Sequence, residues 1–384
     1  MLDWPTQPLE KIPAAQFRPP FCPWSNCRSN RAGVEVSFRK HGVFVRSDHR
    51  SIPRFRCMIC LRTCSQQTFS CTYYLKRPEL IVPIAAGLNA GSAHRQLGRS
   101  LECSPSTVTN LSARLGRHAL LLLAHSLDNI DSIDESLAYD DFECFVYSQD
   151  HPVGIGTPVG RDSWFVYGLE SAPHRRGGKR SPRHKTPGKS HRRPGAHRRA
   201  FERTLDLLGP KRGSQGVLDV YTDGHRDYRD GHATHPLRAV VRHHVFPNPV
   251  RGPKGSQRSK EAVQRDAAMF AVDLFHKLAR HTDAHHRRET IAFNRRHNAL
   301  MERAFLLAIW RNFVKARTER RPSRETPAMR IGLASAPWRW SQVLAQRLFP
   351  WRIPVPPSWE LVYRRDLTTE AVGRNRRHRL RNAY

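Results

Sequence analysis

Four cysteines constrain this chain more than any other feature in it. Cys22 and Cys27 make a C-x4-C knuckle and Cys57 and Cys60 a C-x2-C knuckle. The loop between the knuckles lets four thiolates reach one tetrahedral zinc at roughly 2.3 Å. The second knuckle, Arg56-Cys57-Met58-Ile59-Cys60, follows the aromatic Phe55. A segment with so few core residues would hardly fold without such a staple. Zinc is therefore expected to organise residues 21–77, behind a proline-rich, extended lead-in over residues 1–20. Cys64 and Cys71 could compete for the ion, but their spacing is less regular. Six of the eight cysteines precede residue 72, which suits a metal site in a reducing, cytoplasmic compartment better than a disulfide framework.

The 384 residues can hold two or three domains, and 39% hydrophobic residues suffice for a packed core beside polar linkers. Lys and Arg number 65 against 33 Asp and Glu, a formal charge of +32. Such a chain repels itself unless a polyanion is its usual partner, and nucleic acid is the first to consider. A membrane surface would attract the same charge, but the longest apolar run, near Ala119 to Ala124, is too short to span hydrocarbon. No signal peptide is evident.

After Pro78 the pattern turns helical: Ala93, Leu97 and Leu101 fall four apart, Glu102-Cys103-Ser104 breaks the run, and Ser106 is followed by Val108, Leu111 and Leu115. Residues 78–130 thus read as helix, turn, helix. Ser104 can cap the second helix and Pro105 suits its first turn. Its N-terminal end would enter the major groove of DNA, with Ser106, Thr107, Thr109 and Asn110 as base or phosphate contacts and Arg114 and Arg117 closer to the backbone. Paired helices favour duplex DNA over RNA.

From Ser136 the period changes to two. Ala138, Asp140, Phe142, Cys144 and Val146 share one face of an expected strand, while Asp141 points the other way with Tyr139 and Glu143. Ser163 to Leu169, Val217 to Thr222 and Leu237 to Phe246 read as further strands, and helical patterns run from about Glu261 to Arg317. Between them, Pro173 to Arg199 is rich in Arg, Lys, His, Gly and Pro, with almost nothing to bury, and reads as a mobile basic insert (residues 173–200). The tail, residues 321–384, carries Trp338, Trp340, Trp351 and Trp359 among prolines and ends in the basic run Arg374 to Arg381. It is expected to wrap the core and touch DNA.

In a chain so poor in acids, a carboxylate on an apolar face is costly unless something positive neutralises it. Asp140 is such a case. Asp223 sits at the end of an apolar-rich run, before Gly224. Glu302 is the only acid between Thr290 and Thr318, in a helix apolar nearly all round. Each could be a salt bridge, a cap or a solvated edge; together, on a strand, a later strand and a following helix, they could hold two Mg2+ (or Mn2+) ions about 3.5 to 4 Å apart. Glu289 is the alternative third acid. It lies 13 residues before Glu302, roughly 220° around a continuous helix, so the two cannot both face one metal site.

Several stretches now stand together: Phe21-Cys22-Pro23, Phe55-Arg56-Cys57, Tyr139-Asp140-Asp141-Phe142-Glu143, Thr222-Asp223-Gly224-His225, Arg288-Glu289-Thr290-Ile291-Ala292-Phe293 and Asn298-Ala299-Leu300-Met301-Glu302-Arg303. Through them the chain, from about Phe21 to Tyr384, resembles bacterial insertion-sequence transposases of the Asp-Asp-Glu type, and the last run looks like the Asn-x3-Glu-Arg pattern around their third acid. The resemblance implies an α/β fold: a ribonuclease-H-like mixed sheet with flanking helices over residues 131–320, preceded by a small zinc ribbon and a helix-turn-helix domain. It also implies Mg2+ dependence, recognition of terminal inverted repeats and target DNA, strand cleavage and transfer without ATP, and a homo-oligomer that brings two ends together. The 79 residues from Asp223 to Glu302 exceed the spacing in compact members, which keeps Glu289 open. A DNA-binding regulator or decayed transposase that no longer cuts, and a nuclease or recombinase acting on another DNA structure, are the competing expectations.

Overall fold

The computed structural model describes residues 1–46, 49–174, 194–250, 252–253, 255–320, 324–370 and 372. At the front, β1 (Phe38–Val45), β2 (Ser51–Cys57) and β3 (Thr63–Ser65) form a three-stranded antiparallel sheet. Its own core is small and aromatic: Phe17, Phe55 and Phe69, completed by Phe349 from the far end of the chain.

Three helices follow, α1 (Ile81–Leu88), α2 (His94–Ser100) and α3 (Pro105–Asp128). As expected, the Ser104 side chain accepts from the Ser106 amide at 3.2 Å, and Pro105 occupies the first turn of α3. The helix then runs well past the Leu115 that the periodicity marks, because Leu120 to Leu123 are buried all round.

A mixed sheet comes next: β4 (Leu137–Val146), β5 (Ser148–Gly160), β6 (Glu170–Pro173), β7 (Leu218–Thr222) and β8 (Val241–Val245), in the order β6-β5-β4-β7-β8. β5 runs antiparallel to β4 and β6, while β4, β7 and β8 are mutually parallel. Helices α4 (Ala196–Leu208) and α5 (Arg226–Thr234) lie on one face of this sheet and α6 (Lys260–Thr282) on the other. The molecule is thus mixed α/β, with flanking helices around a five-stranded mixed sheet. No helix among the described residues is long and apolar enough to cross a membrane.

Beyond the sheet, α7 (His297–Ile309) packs along α3 and continues into a π-helical turn, Trp310–Val314. Their backbones meet at Gly116, where any Cβ would collide with Glu302. The tail carries the short helices α8 (Pro327–Arg330), α9 (Trp340–Val343) and α10 (Pro357–Tyr363). It folds back over both ends of the molecule. Trp359 is buried and donates to Glu170 at 2.9 Å. The first residues are tied to the tail, the Leu2 amide donating to the Leu333 carbonyl at 3.0 Å and the Leu9 amide to the Ala345 carbonyl at 2.8 Å.

Three expectations need correcting. Ser163 to Leu169 is not a strand. The Glu135 carboxylate accepts from the Asp162 and Ser163 amides, turning the chain there, and only Val166 bridges to Val159. The long β5 replaces it, and its Pro152, Pro158 and repeated glycines look like turn chemistry in the sequence. The insert over residues 173–200 contains the end of β6 and the start of α4; residues 175–193 lie outside the described residues, as does Arg374 to Arg381. Finally, the helical run from Glu261 is interrupted between Asp283 and Arg296 rather than continuous.

Candidate functional site

The cysteine cluster forms where β2 ends in a tight turn. Cys57 pairs with Phe38 across the sheet, and the Leu61 amide donates to the Cys57 carbonyl at 2.9 Å, which curls Cys60 back. Cys22 Sγ lies 3.6 Å from Cys60 Sγ, and Cys27 Sγ 3.7 Å from Cys57 Sγ. Bonds of roughly 2.3 Å around a tetrahedral ion set ligand sulfurs about 3.8 Å apart. Cys22, Cys27 and Cys57 are buried, and Cys60 is half-buried. The four could bind a structural metal such as zinc. Cys64 and Cys71 stand outside the cluster: burial pushes the Cys64 thiol up to about 12, and Cys71 Sγ donates to the Gln346 carbonyl at 3.1 Å.

On the five-stranded sheet, Leu137 pairs with Val220 and Ala138 with Tyr221 in parallel, and Asp140 and Asp223, each two residues beyond Ala138 and Tyr221, lie near enough to repel. Asp140 faces α6, where His276 Nδ1 lies 3.8 Å from its Oδ2. Asp223 Oδ1 accepts from the His225 amide at 3.0 Å and Oδ2 from Asn248 at 2.9 Å, which fixes its rotamer. Burial raises the Asp140 carboxyl well above its ordinary range, and the negative charges of Asp223, Asp141 and Asp273 raise it further. A fifth of its side chain still reaches solvent, at 22% exposure. Like charges thus gather around one buried carboxyl that keeps one side open to solvent.

That crowding has a pH signature. An unfolded aspartate titrates near 3.9. With the folded value raised, protonated Asp140 favours the fold below that pH, and the contribution is lost as pH rises through the folded value. Melting temperatures of wild type and Asp140→Asn are expected to diverge with rising pH, the variant becoming relatively more stable. A pH-independent difference would count against the carboxylate crowding.

Asp141 occupies the opposite face, as the alternation requires. Its Oδ2 accepts from Tyr228 of α5 at 2.6 Å and lies 3.0 Å from His197 Nδ1 of α4. Asp141 raises the His197 imidazole above its usual value against the opposing effect of burial.

The structure does not bring Glu302 to the aspartate pair. It is buried between α7, α3 and the tail, with Oε1 2.8 Å from Arg365 Nε, Oε2 accepting from Arg365 Nη2 at 3.0 Å, and Arg117 3.8 Å away. Its neighbours in the Asn-x3-Glu-Arg run serve similar ends. Asn298 donates to the Leu367 carbonyl at 3.0 Å, and Arg303 pairs with the fully buried Asp283 at 2.8 Å. The run is a clamp on the tail and on the end of α6. Removing one partner of a buried ion pair leaves the other uncompensated, at a cost of about 3–5 kcal/mol. Glu302→Gln is therefore expected to lower the unfolding free energy by an amount of that order, read by urea unfolding; a change below about 1 kcal/mol would contradict the clamp. Glu289 is exposed on a bend between α6 and α7 and does not join the pair either.

On α3, Ser106, Thr109 and Asn110 are exposed and Thr107 is half-buried. Arg114 and Arg117 are buried, at 3% and 1% exposure. Arg114 donates to the carbonyls of Cys71 and Tyr73, and Arg117 turns toward Glu302. Their expected place at a DNA backbone is corrected: they hold α3 to the segment that follows the front sheet and to α7.

What the sequence reading missed lies on α6. Asp273 and His276, three residues apart, sit beside the buried Val272 and Phe275 and under Asp140. Arg265, one helical stretch earlier, pairs with Asp273, Nη2 to Oδ1 at 3.3 Å. The available signal was an acid and a histidine bordering the apolar stripe of a helix that follows the last strand. Among known proteins, no family model and no curated protein matches this chain.

Proposed function

We propose that this protein is a DNA transposase that cleaves phosphodiester bonds with divalent metal and joins the ends it makes. The observation that carries the reading is the juxtaposition of Asp140 on β4 with Asp223, just past the end of the parallel β7, with Asp273 close by on the helix that follows. A central strand flanked by an antiparallel hairpin on one side and two parallel strands on the other supports a ribonuclease-H-like core. In this reading the cysteine cluster is a zinc ribbon, and α2 and α3, joined by a short turn, are the helix-turn-helix.

Asp140 and Asp223 would hold Mg2+ or Mn2+, and Asp273 takes the place first expected of Glu302. Bound there, such ions supply charge neutralisation for an in-line displacement at phosphorus and stabilise the departing 3′-oxygen. The protein's own part is positional. Asn248 and the His225 amide orient Asp223, and the sheet register fixes its distance from Asp140. Cationic side chains on the surface bind the phosphate backbone, with affinity falling steeply as salt rises. The exposed Ser106, Thr109 and Asn110 remain the base-reading set. Two DNA ends demand more than one subunit, so a homo-oligomer on DNA belongs to the proposal.

A DNA-binding regulator that no longer cuts draws support from one observation: the glutamate of the Asn-x3-Glu-Arg run is spent on an ion pair with Arg365. Supercoiled donor DNA carrying the element's own ends separates the two readings. Nicking and end-joining with Mg2+ or Mn2+ that stop with EDTA support the transposase; tight binding of the ends with no metal-dependent cutting supports the regulator.

A further inference from the structure

Glu143, His174 and His197 converge on the sheet face opposite Asp140. They come from three elements: the middle of β4, the residue just after β6, and the first turn of α4. His174 Nε2 lies 3.2 Å from Glu143 Oε2, and His197 Nε2 lies 3.9 Å from Glu143 Oε1. The two imidazole centroids are 4.4 Å apart, and the three donor atoms all lie within 4.8 Å of one another.

In both rings the other nitrogen lies against an oxygen. His174 Nδ1 donates to the Ala172 carbonyl at 3.0 Å, and His197 Nδ1 faces Asp141 Oδ2 at 3.0 Å. Asp141 in turn is held by the Tyr228 hydroxyl. A carbonyl or carboxylate on Nδ1 fixes the tautomer whose Nε2 lone pair is bare, the arrangement that orients metal-binding histidines. The backbone is shaped for it too: a Cβ at Gly154 would sit 2.9 Å from His197 Cε1 and 3.0 Å from Asp141 Oδ1, so a side chain there would crowd the imidazole off its carboxylate. A simple ion pair explains less. One carboxylate would face two imidazoles at unequal distance, and neither that nor an oxygen against each Nδ1 atom is needed for it.

We propose that Glu143, His174 and His197 bind one transition-metal dication of the zinc class through the carboxylate and the two Nε2 atoms. Two imidazoles and one carboxylate suit such an ion better than Mg2+, which prefers oxygen and retained water. Glu143 is 54% exposed, so the remaining coordination positions open to solvent. His174 and His197 stand on either side of residues 175–193, so the ion ties both ends of the connection between β6 and α4 to the central strand. The site is separate from the Asp140 and Asp223 pair and does not depend on the transposase reading.

The test uses the full chain with its cysteine cluster zinc-filled and excess metal removed. Calorimetric titration with Zn2+ alone is expected to show one further ion in wild type and in the Asp140→Asn/Asp223→Asn double variant. His174→Gln and Glu143→Gln, both at partly exposed positions, should each weaken that ion about tenfold or more while keeping the zinc of the cysteine cluster, which reports folding. Uptake of no further ion by wild type, wild-type affinity in both single variants, or loss of the ion in the aspartate double variant alone would each overturn the assignment.

Discussion

Withholding zinc from Cys22, Cys27, Cys57 and Cys60, which could bind it, is expected to unfold the front sheet while leaving the five-stranded sheet intact. Binding of a structural zinc is worth about 10–16 kcal/mol at neutral pH, as large as the whole stability of an ordinary domain, about 5–15 kcal/mol. The three short strands have little to set against that loss, since β1 is exposed along almost its entire length and the local core is a handful of aromatic rings. Hydrogen exchange with and without a strong chelator is the direct measurement: amides of β1 to β3 should lose protection, and those of β4 and β7 should keep it. Cys57→Ser should reproduce the chelated state and lose zinc. Unchanged protection in zinc-free protein would show that the aromatic core suffices and that the four thiols are only neighbours.

The second large effect concerns cleavage. Asp140→Asn and Asp223→Asn are each expected to reduce metal-dependent strand cleavage by about 10^3-fold or more, since single members of a catalytic set commonly carry most of its effect. Binding of end DNA should survive, because neither side chain lies on the exposed face of α3. The informative comparison is the third position. Asp273→Asn should behave like the other two, whereas Glu302→Gln should lose stability but keep its rate per folded molecule. Full cleavage by Asp273→Asn would leave the pair without a third carboxylate from α6. Full cleavage by Asp140→Asn would remove the pair itself from the chemistry.

Much of this site can be read from residue order alone, because period-two alternation in β4 is local information. It puts Asp140 on one face and Asp141 on the other, and the structure bears that out with α6 and His276 over the first and His197 and Tyr228 over the second. The knuckle spacing and the Ser104 cap are equally local. Other features depend on partners hundreds of positions away. Nothing near Glu302 reveals that Arg365 will reach it, and an apolar helix with one acid reads the same whether that acid meets a metal or a guanidinium. Arg114 and Arg117 mislead for the same reason: arginines early on a helix look solvent-bound until the carbonyls of Cys71 and Tyr73 and the Glu302 carboxylate arrive. β5 hides because prolines and glycines blur the alternation that marks a strand, although Gly154 and Gly156 make room for His197 and for the Tyr139 hydroxyl.

The interlocked ends of the chain impose an order in time. Phe69 and Phe349 pack together, with ring centroids 5.9 Å apart, across about 280 residues of sequence. At a synthesis rate of about 5–20 residues per second, the aromatic core of the front sheet waits roughly 15 to 60 s for its last member to leave the ribosome. During that interval the four cysteines and all three strands of the front sheet are already synthesised, and the aromatic core lacks only Phe349 among its buried rings. A nascent or truncated chain could gather the four thiols around a metal before it can finish the surface around them, so the front end reaches its final form only when translation is nearly done.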